Sequence, residues 1–216
     1  MTTVGTGAYT YELVDDWAHL PDGWTLGQTG IVTDARDRVY LFNRSAHPLI
    51  VLDRDGTFLT SWGEGVLSSA HGMFIDPQEN LYLPVINSHV VLKYSSSGNL
   101  LMTLGTWDTP SATGWSGNYR DPVKQAAGPF HRPSDVAIAP TGDLYISDGY
   151  GNARIHRFAP DARSVAWPLL SVVGPNPDQT PLPNPLPPAP LRGGGVVVRH
   201  KNRTWASGLP ISRGSG

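Results

Sequence analysis

The sequence predicts an all-β fold built from short antiparallel strands and many tight turns. Glycine and proline account for 24 and 20 of the 216 residues, about a fifth of the chain and well above ordinary usage. Charged residues make up only 16%, which argues against a helical bundle because solvent-facing helices need charged faces and few helix breakers. With 39% hydrophobic residues, the chain has enough apolar side chains to build a core.

A unit that recurs four times along the sequence indicates the kind of β fold. Each copy begins with Gly or Asp, continues with alternating apolar residues and a polar turn, and carries an aromatic residue ten positions after its start. Two period-2 strands around a turn predict a β-hairpin in every copy. The copies start at Gly30, Gly72, Asp135 and Gly195, with the aromatic residues Tyr40, Tyr82, Tyr145 and Trp205.

Further strands are predicted after these hairpins. A third strand begins at Leu49, Val90 and Ala153 in the first three copies, and a fourth begins at Thr57 and Leu100 in the first two. Four strands per unit, with starts 42, 63 and 60 residues apart, match β-propeller blades with two insertions. A plain blade repeats about every 40–45 residues. The alternative is an antiparallel sandwich with coincidental spacing, and the constant offset of the aromatic residue favours blades.

The organisation along the chain follows from these repeats. We expect an N-terminal segment over residues 1–26, propeller blades over 27–170, a proline-rich irregular segment over 171–192 and a partial further blade over 193–216. Eight prolines lie between Pro175 and Pro190, and proline has no amide donor for an interior strand. We expect an extended connection there, with a ligand for proline-reading domains as the alternative.

Charge and composition exclude several classes of protein. The formal net charge is −2 and basic residues are not clustered, so we expect no nucleic-acid partner. The absence of cysteine excludes disulfides, thiolate metal sites and a cysteine nucleophile. The first residues have neither a basic start nor an apolar stretch, and no 18-residue apolar run occurs. We therefore expect a soluble protein without a signal peptide or a membrane partner, cytoplasmic by default.

The four units resemble NHL repeats. The stretch Gly128–Pro160 resembles the NHL propellers related to peptidyl-α-hydroxyglycine α-amidating lyase, most specifically in the run SDGYGNARI at Ser147–Ile155. The resemblance extends from Gly27 to about Pro160 and, weakly, over Gly195–Ser207, but not between Asp161 and Gly194. It implies a six-bladed propeller of which this chain holds about three to four blades, so that the chain looks truncated beside the family.

The same resemblance implies an activity and a site. The family reaction splits a peptidyl-α-hydroxyglycine into a peptide amide and glyoxylate and uses zinc and calcium. Imidazole is a zinc ligand, a phenol beside a cation can act as a base, and the guanidinium fork matches a carboxylate. Matched to this sequence, the candidates are His71 for zinc, Tyr150 and Arg44 for catalysis, and the main-chain carbonyls of Ile31 and Met73 for calcium.

Other interpretations of the same residues stay open at this stage. His71 can instead hydrogen-bond across the start of a strand, Tyr150 can pack over a blade turn, and Arg44 can be a solvated charge at a strand end. The position expected for a second zinc histidine is Gly194, so His131, His200 or a missing segment would have to supply ligands. The alternatives to a lyase are a non-catalytic NHL propeller that binds a peptide or protein through its inserted loops, and an incomplete gene product.

Overall fold

The computed structural model describes residues 2–118, 120–125, 127–160, 170–171, 195–200 and 203–208. All regular structure in these residues is β, and none of them lies in a helix that could cross a membrane. The chain divides into two compact units, residues 1–174 and 175–216. The proline-rich segment lies outside the described residues, as does Gly194.

Three four-stranded antiparallel sheets follow one another in the first unit, with their strands adjacent in chain order. Their strands confirm the repeated four-stranded blades of an all-β, propeller-type fold. The first sheet contains β3 (Thr29–Thr33), β4 (Val39–Asn43), β5 (Leu49–Leu52) and β6 (Phe58–Trp62); the second contains β7 (Phe74–Ile75), β8 (Leu81–Val85), β9 (Val90–Tyr94) and β10 (Leu100–Gly105); the third contains β11 (Asp135–Ile138), β12 (Leu144–Asp148), β13 (Arg154–Phe158) and β14 (Leu170–Ser171).

Two further hairpins complete the described structure. The first joins β1 (Thr2–Thr6) and β2 (Tyr9–Leu13), and belongs to the first unit. The second joins β15 (Gly195–His200) and β16 (Arg203–Gly208), which confirms the hairpin predicted for the fourth sequence unit. The first hairpin and the fourth strand of the third sheet were not predicted from the sequence. That strand, β14, is only two residues long.

The side chains of β4, β5, β8 and β9 are buried on both faces of their sheets. Tyr40 and Phe42 face the second sheet and share a buried cluster with Leu81 and Leu83. The intervening Tyr82 faces the other way and joins a second cluster with the third sheet. Period-2 alternation thus places successive side chains in two different cores, so that the central strands are apolar at nearly every position.

The remaining face of the first sheet is covered by the segment that leads into it. Trp17, Leu20 and Trp24 pack against the buried side chains on that face, including Leu41 and Ile50. The His19 amide donates to the Gly56 carbonyl at 2.9 Å. A Cβ atom on Gly56 would lie 1.8 Å from the Trp17 carbonyl oxygen, so only glycine allows this close approach.

The hairpin turns repeat the same hydrogen bonds. The Asp34 carboxylate accepts from the amides of Arg36 and Arg38, both at 2.9 Å. Asp76 occupies the equivalent position in the second sheet and accepts from the amides of Gln78 and Asn80 at 2.9 and 2.8 Å. A short carboxylate at the start of a turn satisfies backbone donors that the strands leave unpaired, which explains the Asp before the turn in the first two units.

Candidate functional site

Two of the predicted site residues are in direct contact. The first strand of each sheet (β3, β7 and β11) is called its inner strand. His71 precedes β7 of the second sheet, and Tyr150 follows β12 of the third sheet. The Nε2 atom of His71 and the phenolic oxygen of Tyr150 lie 2.9 Å apart, within hydrogen-bonding distance. Their rings meet edge to face with centroids 5.6 Å apart, and both side chains are half-buried. Residues 79 positions apart in sequence therefore form one pair at the junction of two sheets.

Arg44 lies beside this pair. It follows β4, and its Nε atom donates to the carbonyl oxygen of Ala70, the residue before His71, at 2.6 Å. Its Nη1 atom donates to the side chain of Gln28. Among the described residues, none accepts a hydrogen bond from the Nη2 amino group, and the side chain is exposed. The guanidinium group is thus fixed to the backbone next to His71 and keeps a donor for a ligand.

The loop that carries Arg44 is held by Asn43, the last residue of β4. Asn43 is fully buried, and its side-chain oxygen accepts from the Gly27 amide at 2.7 Å. Its amide nitrogen donates to the Ser45 hydroxyl at 2.6 Å. The Arg44 amide in turn donates to the Gln28 carbonyl at 3.1 Å. These bonds fix the backbone on both sides of the arginine.

The loop that carries Tyr150 is held by Asp148, the last residue of β12. Asp148 is fully buried, and its carboxylate accepts from the His131 amide at 2.9 Å, from the Asn152 side chain at 2.8 Å and from His156 Nε2 at 3.1 Å. A buried carboxylate is retained only where donors surround it, and this one has three. Asp148 and Asn152 therefore hold the turn that carries Tyr150.

The calcium candidates lie on or beside inner strands. Ile31 is in β3 with an exposed side chain, whereas the side chain of Met73 is buried in the core. Inner strands of adjacent sheets come very close here, because a Cβ atom on Gly30 would lie 2.4 Å from the carbonyl oxygen of His71. The role of the Ile31 and Met73 carbonyls stays a prediction.

The described side chains do not fit a three-histidine zinc centre. Within those residues, no three His, Cys, Asp or Glu side chains are grouped closely enough to hold one metal ion. Structural and catalytic zinc sites commonly use at least three protein ligands. His71 Nε2 lies against the Tyr150 hydroxyl, and His131 Nδ1 donates to the Ser111 carbonyl at 3.0 Å. The side chain of His200 lies outside the described part.

The insertion before the third sheet, about residues 106–132 between β10 and β11, forms a cluster that was not predicted from the sequence. His131 meets His89 and Trp115 edge to face, each at 5.3 Å between centroids, and the Arg132 guanidinium lies 5.4 Å from the Trp115 ring centroid. His89 is buried, and its Nδ1 accepts from the Arg132 amide at 3.2 Å. Burial, and then the positive charges of His131 and Arg132, lower the pKa of His89 below its usual 6.5. The aromatic and basic residues of the insertion were the available signal.

One of the repeated units matches a known protein family. The family model described as NHL repeat matches residues 130–158, which cover β11 to β13 of the third sheet. Residues 130–158 are therefore similar to an NHL repeat. This confirms the resemblance to NHL repeats found in the sequence. The matched residues include the loop that carries Tyr150.

Several characterised proteins are similar to longer stretches of the chain. Peptidyl-alpha-hydroxyglycine alpha-amidating lyase 1 of Drosophila melanogaster is 31% identical over 102 residues, which are 45% of this chain and 16% of that protein. Human NHL repeat-containing protein 3 is 29% identical over 163 residues, 70% of this chain and 44% of that protein. Rat peptidylglycine alpha-amidating monooxygenase is 28% identical over 189 residues, 73% of this chain and 18% of that protein. The chain thus spans less than half of each relative.

Solved structures show similarity at lower identity. Virginiamycin B lyase from Staphylococcus aureus matches with a TM-score of 0.46 and 16% identity, over 64% of this chain and 40% of that one. A gluconolactonase from Xanthomonas campestris matches with a TM-score of 0.40 and 14% identity, over 64% of this chain and 47% of that one.

Proposed function

We propose that Arg44, His71 and Tyr150 form an amidating-lyase site that cleaves peptidyl-α-hydroxyglycine into a peptide amide and glyoxylate. The carrying observation is the 2.9 Å contact between His71 Nε2 and the Tyr150 hydroxyl, with Arg44 bonded to the preceding carbonyl at 2.6 Å. Similarity to Drosophila and rat amidating proteins supports this choice of reaction.

Each side chain has a role in this proposal. The substrate ends in a carboxylate, which the Nη2 amino group of Arg44 binds. Tyr150 is the group that takes the proton of the substrate hydroxyl, and His71 orients its phenolic oxygen through their hydrogen bond. The carbon–nitrogen bond then breaks with its electron pair going to the amide nitrogen, which takes up the proton that Tyr150 received from the hydroxyl. The hydroxyl carbon becomes the aldehyde of glyoxylate, so the reaction consumes no oxidant or reductant.

A zinc or calcium requirement remains an expectation from the resemblance. His71 brings an imidazole to the Tyr150 hydroxyl, and we assign no step of the reaction to a metal. The peptide partner of this proposal is the substrate itself. Binding of peptides without turnover would instead favour the scaffold function.

The test is product formation by the purified chain. A synthetic peptidyl-α-hydroxyglycine is incubated with and without added zinc and calcium, glyoxylate is measured colorimetrically, and the peptide amide is identified by mass spectrometry. We expect Tyr150→Phe to lower kcat by about a hundredfold or more and Arg44→Ala to raise KM by about tenfold. Tyr145→Phe is the matched control, because Tyr145 lies in β12 but is exposed. No glyoxylate above the uncatalysed rate under either condition would refute the proposal.

A further inference from the structure

The Tyr150 loop is held by the insertion as well as by its own sheet. Gly151, the next residue, is buried and uses both of its backbone polar groups in contacts with the insertion. Its amide donates to the His131 carbonyl at 3.1 Å, and its carbonyl accepts from the Thr113 hydroxyl at 2.6 Å. The peptide units that follow Tyr150 are therefore fixed by two residues of one inserted segment.

Thr113 connects this contact to the rest of the insertion. Its side chain is completely buried, and its hydroxyl oxygen also lies 3.1 Å from His131 Nδ1. Its carbonyl accepts from the amides of Lys124 and Gln125, both at 3.1 Å. A hydroxyl with one proton can donate to the Gly151 carbonyl while accepting from the His131 Nδ1–H, which it shares with the Ser111 carbonyl. One buried side chain thus links His131 to the backbone beside Tyr150.

Space around the loop is asymmetric. A Cβ atom on Gly151 would lie 2.5 Å from His131 Cδ2 and 2.9 Å from Trp115 Cε3, whereas one on Gly149 would have nothing within 4 Å. The insertion therefore packs closely against Gly151, after Tyr150, and makes no such contact at Gly149, before it. The contacts with Gly151 therefore fix the position of the Tyr150 phenolic oxygen relative to His71.

We propose that Thr113 is a positioning residue for Tyr150, holding the Tyr150 hydroxyl against His71 through its hydrogen bond to the Gly151 carbonyl. The catalytic part of this inference rests on the proposed lyase function. Thr113 does not touch the candidate reacting atoms and acts through the backbone of residues 150–151. A misplacement of a catalytic group by about 1 Å can cost a hundredfold in rate, so a single buried hydrogen bond is sufficient for a measurable effect.

The experiment compares three variants of the full chain. Thr113→Val keeps the shape and removes the hydroxyl, Thr113→Ser keeps the hydroxyl, and Thr109→Val removes an exposed hydroxyl of the same insertion that bonds the Trp107 carbonyl at 3.0 Å. We expect Thr113→Val to lower kcat by roughly ten- to a hundredfold with KM within about twofold of wild type. Thr113→Ser should restore kcat to within about threefold, and Thr109→Val should match wild type.

Hydrogen exchange of the amides in residues 149–152 provides a readout without turnover. Thr113→Val should speed exchange there, while Thr113→Ser and Thr109→Val should not. Wild-type kcat or wild-type exchange in Thr113→Val would overturn the inference, and so would equal losses in the Val and Ser variants. If Thr113→Val does not fold, Thr113→Cys replaces it, because a thiol is a weak donor. An inactive wild type refutes the lyase function, whereas the exchange comparison still tests the positioning.

Discussion

The loops that carry Arg44 and Tyr150 occupy equivalent places in the first and third sheets but are held by different chemistry. Asn43 and Asp148 each end the second strand of their sheet, and each accepts from a backbone amide in the segment that enters the inner strand. Asn43 is neutral, and its side chain bonds the Gly27 amide before β3 and the Ser45 hydroxyl in the loop that follows β4. Asp148 carries a carboxylate and gathers donors from the insertion and from β13.

The second sheet differs from the other two at the last residue of its second strand. Its equivalent residue, Val85, is apolar and buried, and this sheet supplies His71 from the loop before its inner strand instead. A buried polar residue at the strand end therefore accompanies a site residue in the loop that follows it. The inserted segment adds a second set of contacts where the loop carries Tyr150.

The largest expected effect comes from removing the charged anchor. Asp148→Ala leaves the His131 amide, the Asn152 side chain and His156 Nε2 without their acceptor in a buried place. We expect a loss of about 3 kcal/mol in the free energy of unfolding, against about 1–2 kcal/mol for Asn43→Ala, measured by urea denaturation. Equal losses would show that the extra donors around Asp148 add nothing.

A smaller effect is expected from the glycines on either side of Tyr150. The side chain in Gly151→Ala meets His131 and Trp115, and we expect a loss of about 1–3 kcal/mol in stability from this overpacking. Gly149→Ala is the matched control, with open space around its new methyl group and a change expected within about 0.5 kcal/mol. Thermal unfolding of both variants measures the difference. A Gly151→Ala variant as stable as wild type would mean that His131 and Trp115 can move to make room for the methyl group.

The smallest expected effect is a pH dependence of the free energy of unfolding that arises from His89, which contacts the insertion. Burial, followed by the charges of His131 and Arg132, holds the pKa of His89 below 6.5, while Asp148 and Asp108 act in the opposite direction. The unfolded chain therefore binds the proton first as the pH falls. The contribution of neutral His89 to stability is complete above about pH 6.5 and is lost as the pH falls from there toward the folded pKa.

Unfolding measured between pH 7.5 and 5.5 tests this pH dependence. His89→Gln should lower the dependence of stability on pH in that range, because the group that titrates is gone. His19→Gln is the control, since His19 is exposed. An unchanged slope in His89→Gln would contradict the assignment to His89.

The repeats made the sheets predictable, because period-2 alternation and polar turns recur at fixed offsets and are local in sequence. The family resemblance, matched residue by residue, supplied Arg44, His71 and Tyr150 as candidates, and the structure places them close together. The bonds from Thr113 and His131 to Gly151 were not predictable, since they join the inserted segment to a loop 20 to 38 residues away. The strand β14 was missed because two residues give no alternation, and the hairpin β1–β2 because it has no copy in the repeats.

The segment around Trp17, Leu20 and Trp24 belongs to the core of the first sheet as much as the strands do. An apolar sheet face must be shielded from water by a neighbouring element. A short irregular stretch covers this face, and Leu41 and Ile50 are buried beneath it. The smallest self-sufficient version of this sheet therefore begins ahead of Trp17, and a domain boundary drawn at the first repeat, Gly30, would cut away part of its core.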